Sequence, residues 1–192
     1  MIRFDPVPKP AEFVTEAETP GEKWLLQNPS ASRPRDLWSP FKRHLADGFR
    51  NLCAYSALYE PVGTVDHFVS FNEDRVRAYD WTNYRFASAW LNSSKKNLAS
   101  AQILDPFEVQ DGWFEILLPS LQLVVSDRIP AQLRVRAEFV LERLHLRDDE
   151  RVLRQRREWY RMYQERELTL AGLETKAPLI AEAIAKANEA GA

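Results

Sequence analysis

Val65-Asp66-His67-Phe68, followed by Asp80-Trp81-Thr82-Asn83 and then Leu91-Asn92-Ser93-Ser94-Lys95, is the stretch on which the fold of this 192-residue chain turns. Leu52–Tyr59 and Thr64–Phe68 flank the turn-rich Glu60-Pro61-Val62-Gly63, a pattern that predicts a hairpin. A polar loop over Ser70–Asp80 follows. Asn83-Tyr84-Arg85-Phe86-Ala87 then alternates as a short strand does, and Ala89–Asn97 continues as a short helix.

The chemistry of this grouping follows from its residue types. The chain has three histidines. His44 lies in Lys42-Arg43-His44 on an expected surface helix, and His145 sits near a helix end, where a capping or structural role is the simpler reading. His67 follows Asp66 at the end of an expected strand and is followed by two asparagines. Cutting a phosphodiester requires an activated water and neutralisation of the charge developing on the leaving oxygen. An imidazole with an ordinary pKa of about 6.5 suits the general base. Asp66 and Asn92 offer hard oxygen donors of the kind that take Mg²⁺ or Mn²⁺. Asn83 is placed to fix His67 or the loop that holds it. Lys95 falls three residues after Asn92, so on a helix its ammonium would point the same way and reach a phosphate. For Asn83 the alternative is an Asx-type turn residue, and for Asn92-Ser93-Ser94 an ordinary polar surface helix.

In this order the residues resemble the HNH (His-Me finger, ββα-metal) endonucleases, most of all the bacterial defence- and retron-associated branch that includes Septu-type nucleases. That branch reads Cys-x-x-Cys, Asp/Glu-His-Phe, Trp-x-Asn, then Cys-x-x-Cys-Asn-x-x-Lys. The corresponding pieces here are Cys53-Ala54-Tyr55-Ser56, Asp66-His67-Phe68, Trp81-Thr82-Asn83 and Ser88-Ala89-Trp90-Leu91-Asn92-Ser93-Ser94-Lys95. The likeness implies an α+β fold with a ββα-metal core at about 52–97. A second β-hairpin and C-terminal helices would pack around that core. By position it makes His67 the general base, Asp66 and Asn92 the ligands of one Mg²⁺ or Mn²⁺ ion, and Asn83 and Lys95 further catalytic residues. It implies a metal-dependent endonuclease acting on DNA, with RNA as the second candidate, in bacterial defence and alongside an ATPase or other partner protein. The alternatives are a catalytically silent, zinc-free scaffold acting as a binding subunit, and an intracellular toxin effector with the same chemistry.

The departure from the pattern is specific. The family's structural zinc needs four ligands, and three of those positions are Ser56, Ser88 and Leu91. Only Cys53 remains, so no structural zinc is expected. Tyr55, Trp81, Phe86, Trp90 and Leu91 are candidates to hold the finger by packing. Cys53 itself reads most simply as a small buried residue.

Outward from this core the composition sets the boundaries. Seven of the twelve prolines lie within the first 40 residues. Residues 1–48 are therefore expected as an extended, proline-rich arm with short helical turns, laid on the domain surface and ending in a helix near Pro40–Arg50. Residues 49–166 form the HNH-like domain with its helices, and 167–192 a C-terminal amphipathic helix. Trp113–Leu118 and Leu121–Val125 predict a second hairpin, and a helical period begins at Pro130. Asp148-Asp149-Glu150 opens another helix, where acids suit the positive end of the dipole. Thr175 is expected to cap the last helix, whose tail beyond Asn188 should fray.

With 26 basic and 28 acidic side chains the net charge is −2, so nucleic-acid binding must come from local clustering. Arg147, Arg151, Arg154 and Arg161 fall on one side of a helix and form a candidate phosphate-binding stripe, the alternative being a solvated amphipathic face. One cysteine excludes an intramolecular disulfide framework. No run of 18 apolar residues occurs, so no membrane association is expected. The opening Met1-Ile2-Arg3-Phe4-Asp5-Pro6 lacks the apolar core of a signal peptide, from which a cytoplasmic location is expected.

Overall fold

Two short antiparallel strands and the helix after them form the centre of the molecule. The computed structural model describes residues 1–190, and the final two residues of the tail lie outside the described residues. The chain is α+β: helices surround two separate two-stranded sheets. No helix among the described residues is long and apolar enough to cross a membrane.

The amino-terminal region is more helical than its prolines suggest. Helix α1 (Ala11–Phe13) passes through a π turn (Val14–Glu18) into α2 (Thr19–Gln27), one continuous helical run. Pro10 stands at its start, where its missing N–H costs nothing. Pro20 is the harder case, since in an α-helix its ring would collide with the carbonyl of Glu16. The turn ahead of it is widened, with the Thr19 amide donating to the carbonyl of Val14. This run is no surface dressing. Phe13 is fully buried, with its ring 5.0 Å from that of Trp81 and 5.8 Å from that of Tyr84. Helix α3 (Lys42–Gly48) follows a 3₁₀ turn at Ser39–Phe41.

Strand β1 (Thr64–His67) pairs with β2 (Tyr84–Ala87), which sets Asp66 opposite Arg85 and His67 opposite Tyr84. The expected hairpin between Leu52–Tyr59 and Thr64–Phe68 does not form. Leu52 and Tyr59 instead bridge each other across a tight knuckle, closed where the Cys53 amide donates to the Leu58 carbonyl and the Ala57 amide to that of Cys53. The physical reason is that β1 finds its partner beyond the long loop, while the knuckle docks on β2 through the Ala54 amide and the Phe86 carbonyl. Helix α4 (Ala89–Lys95) leaves β2 directly and packs on β1.

The rest buttresses this unit. Strands β3 (Phe114–Leu117) and β4 (Gln122–Val125) form the second hairpin as expected. Helix α5 (Ala131–Arg143) buries Ala137, Val140 and Leu141. Helix α6 (Glu150–Gln164) is capped by Asp149, whose carboxylate accepts from the Arg151 amide. The C-terminal segment is two helices, α7 (Leu170–Lys176) and α8 (Pro178–Ala190). Thr169 caps α7, whereas Thr175 donates its hydroxyl to the Gly172 carbonyl within α7 and caps nothing. Pro178 makes the break, because it cannot supply an amide to a continuing helix. Arg156 is 1% exposed and donates to the carbonyls of Leu121, Leu146 and Arg147, tying α6 to the β4 edge and to the chain before α6.

Candidate active site

Asp66 and His67 occupy the last two places of β1, whose alternation sends them to opposite sides of the strand. Both nonetheless line one cavity of about 250 Å³, which they share with Asn92 of α4. The wall opposite is made by Arg33, Asp36, Trp38 and Ser39 of the amino-terminal region. The two segments richest in candidate chemistry are thus brought to a single hollow, and the arm supplies its far side.

His67 is held by contacts that fix its tautomer. Its Nε2 lies 2.9 Å from the carbonyl of Ala78, an atom that can only accept, so Nε2 carries the hydrogen and Nδ1 the free lone pair. The Tyr84 hydroxyl donates to the same carbonyl at 2.8 Å. Trp38, Tyr84 and Phe71 meet the imidazole edge to face, at 4.6, 5.0 and 5.7 Å between centroids. Burial within this aromatic collar lowers the imidazole's pKa below its ordinary value. The ring is uncharged at neutral pH and able to accept a proton at Nδ1.

Asp66 is 2% exposed, and each of its oxygens accepts one hydrogen bond. Its Oδ2 accepts from the Tyr55 hydroxyl at 2.5 Å and its Oδ1 from the Lys95 ammonium at 3.1 Å. Burial, and the carboxylate beside it, raise the Tyr55 hydroxyl's pKa well above its ordinary value, which keeps it a donor. Lys95 also donates to the His67 carbonyl at 2.7 Å and has no exposed surface. The expected role of Lys95 as a phosphate ligand is therefore corrected. Its ammonium is buried as the counter-charge of Asp66, because α4, which ends at Lys95, packs on β1.

Asn83 is likewise a positioning residue, since it touches neither His67's ring nor the cavity lining. It lies in the 3₁₀ turn Trp81–Asn83, just ahead of β2. Its Oδ1 accepts from the Val69 amide at 2.8 Å, and its Nδ2 donates to the carbonyls of Val69 and Arg77 at 2.9 and 3.1 Å. Together with the bond from the Phe68 amide to the Asn83 carbonyl, this pins the chain leaving His67. Asn92 donates to the Val65 carbonyl at 3.3 Å and leaves its Oδ1 for the cavity.

The donor set fits a hard divalent cation in one way only. Among the described residues no three His, Cys, Asp or Glu side chains form a metal cage. Asp66 and Asn92 supply two protein oxygens, and each Asp66 oxygen keeps a lone pair beyond its present hydrogen bond. Mg²⁺ characteristically takes one or two protein oxygens and fills its shell with water and phosphate oxygens. The zinc positions do not fit their metal. Cys53 accepts from the Ser88 amide at 3.4 Å, Ser56 accepts from the Leu58 amide, and Leu91 is fully buried, so one thiol stands among hydroxyls and an alkyl chain.

The other histidines stand apart. His44 Nε2 bonds to the Pro8 carbonyl at 2.9 Å, and His145 is exposed with a φ of 55° after α5. The arginine stripe is largely occupied: Arg147 pairs with Glu138, Arg151 with Asp149, and Arg161 with Glu158, Glu165 and Glu167. Arg151 also lies over the Trp90 ring of α4 at 4.3 Å. Sequence reasoning passes over Trp38 and the Ala78 carbonyl, and reads Tyr55 as a packing residue and not as the partner of Asp66. Tyr55 carries a faint signal, because it lies inside the knuckle already marked by Cys53. Trp38 carries none, since only the fold brings it to His67. Compared with known proteins, the chain matches no family model and no curated relative.

Proposed function

We propose that the protein is a metal-dependent endonuclease of the ββα-metal type, hydrolysing phosphodiester bonds of DNA. The observation that carries this reading is the convergence of a neutral, tautomer-fixed imidazole with a carboxylate and an amide oxygen on one cavity. His67 Nδ1 accepts the proton of an attacking water. The Ala78 carbonyl stabilises the imidazolium that results, through the Nε2 hydrogen it already accepts. Asp66 and Asn92 hold the divalent ion, which when bound supplies Lewis-acid stabilisation of charge on the phosphate oxygens. Lys95 and Tyr55 keep the Asp66 carboxylate aimed, and Asn83 keeps the loop behind His67 in place. Lys95 also makes the site weak for a cation until a phosphate adds negative charge, so metal and substrate support each other's binding.

A non-hydrolytic binding subunit is the second reading, favoured by the Lys95 ammonium that already neutralises Asp66. A defence role and an ATPase partner follow from the family resemblance alone, and no side chain described above bears on them. Incubation of supercoiled plasmid with the protein and Mg²⁺ or Mn²⁺ tests the hydrolase directly. Nicking by the wild type and its loss in a folded His67→Ala variant are expected. Nicking that survives the substitution removes His67 from the chemistry, and a wild type that neither nicks nor binds Mn²⁺ leaves the binding subunit.

A further inference from the structure

We propose that Arg33 and Lys96 form an anion subsite on the rim of the His67 cavity, binding a phosphate of the nucleic-acid strand. The identity of the anion rests on the hydrolase reading, whereas the subsite itself rests on charge and placement. Arg33 comes from the amino-terminal region and Lys96 from the end of α4, yet both exposed side chains line the same cavity as Asp66, His67 and Asn92.

Their charges are uncommitted. Among the described residues neither enters an ion pair. Of the two acids sharing the cavity, Asp66 is offset by an ammonium, whereas Asp36 meets only neutral donors and is outnumbered by the two cations. Asp36 accepts from the Ser39 amide at 3.0 Å and from its hydroxyl at 2.6 Å, and Asp66 is balanced by Lys95. The rim is therefore electropositive toward an incoming ligand, although the chain as a whole carries a net charge of −2. The expected stripe presents the opposite case: Arg151 and Arg161 of α6, and Arg147, which falls before that helix and not on it, are all held by carboxylates.

Arg33 is also held in position. The Arg75 guanidinium donates to the carbonyls of Ala31 at 2.5 Å and Asn28 at 2.6 Å, and the Tyr79 hydroxyl to that of Arg35 at 2.7 Å. Both donors belong to the 3₁₀ turn Arg75–Tyr79, inside the loop that leads away from His67. That loop thus grips the backbone on either side of Arg33 and sets a planar, two-pronged donor suited to phosphate. Lys96 takes a φ of +47° and a ψ of −124°, a conformation in which glycine would serve the backbone better. A lysine kept there despite the strain presents its cation at the cavity edge.

Binding of a fluorescein-labelled single-stranded DNA oligonucleotide, followed by anisotropy in EDTA across a salt series, separates this subsite from catalysis. Arg33→Ala and Lys96→Gln are each expected to weaken binding severalfold and to lower the slope of log affinity against log salt by about 0.7. Lys186→Ala, on α8 and already paired with Glu115 and Glu182, is expected to change neither. Unchanged affinity and slope in both rim variants, or no binding by the wild type, overturns the proposal. Plasmid nicking judges the hydrolase separately. A wild type that binds through these cations and never nicks overturns hydrolysis and leaves the subsite, whereas nicking with an unchanged KM in both variants overturns the subsite and leaves His67.

Discussion

The ammonium of Lys95 stands 3.1 Å from Oδ1 of Asp66, and both groups are sealed from solvent. A buried pair of this kind contributes little net stability, but removal of one partner strands the other charge. Lys95→Met is expected to lower the unfolding free energy by about 3–5 kcal/mol, and the Asp66→Asn/Lys95→Met double variant to recover much of that loss. Urea denaturation of the wild type and the two variants checks both statements. A single-variant cost no larger than that of an exposed ion pair overturns them.

The same pair makes a prediction about metal. With the ammonium removed, no cation competes with a divalent ion for the Asp66 oxygens, so Lys95→Met should bind Mn²⁺ more tightly than the wild type. Calorimetric titration at a temperature where the variant is folded reads the difference. Equal affinities would place the cation away from Asp66.

Trp38 closes the aromatic collar around His67, at 4.6 Å between centroids. Its truncation to alanine should cost about 3–5 kcal/mol, the range for large aromatic residues in a core. Trp38→Phe should retain most of the stability while loosening the imidazole. On the hydrolase reading the phenylalanine variant therefore nicks plasmid more slowly, with the loss in kcat and not in KM.

Gly21 of α2 lies against the ring of Tyr79, where an added Cβ would come within 2.4 Å of ring carbons. Gly21→Ala is expected to destabilise by about 1–3 kcal/mol despite the better helix propensity of alanine. Thermal melts monitored by circular dichroism decide the sign, and a rise in Tm would show that the Tyr79 ring yields freely.

Asp149 caps α6, and hydrogen bonds from the Arg151 side chain and amide hold its carboxyl down to about 2. A folded-state pKa below the ordinary 3.8 contributes stability above that ordinary value and loses it as pH falls toward about 2. Asp149→Ala should cost about 1 kcal/mol at neutral pH, in line with the loss of an N-cap. The gap between wild type and variant should narrow as the pH is lowered from about 4 to about 2. A gap independent of pH would mean that the carboxylate's charge plays no part.

Much of the central unit is legible from local pattern. Asn83–Ala87 reads as a short strand and Ala89–Asn97 as a short helix; the strand forms over Tyr84–Ala87, and the helix starts at Ala89 but ends at Lys95. Pairing partners are another matter, because Leu52–Tyr59 and Thr64–His67 are equally plausible strands by composition. Only the packing of the knuckle on β2 decides between them. The proline count misleads for Pro10 and Pro20, which a helix start and a π turn accommodate. Within the site, the types and order of Asp66, His67 and Asn92 point to one cavity, and the structure places all three there. Lys95 was misjudged because helical spacing gives a shared face with Asn92 but not how deeply each side chain lies against β1.

Because the Arg75 and Tyr79 grips join residues 28–35 to the loop between the strands, the hollow has two authors in the sequence, widely separated from each other. A fragment reduced to the two strands and α4 would leave the imidazole bare on one flank and delete Arg33 outright. Proteolytic clipping at the exposed Ser32–Arg33 bend would have the same effect on an otherwise folded body, which makes the covering of His67 a reporter of whether the amino-terminal segment has docked.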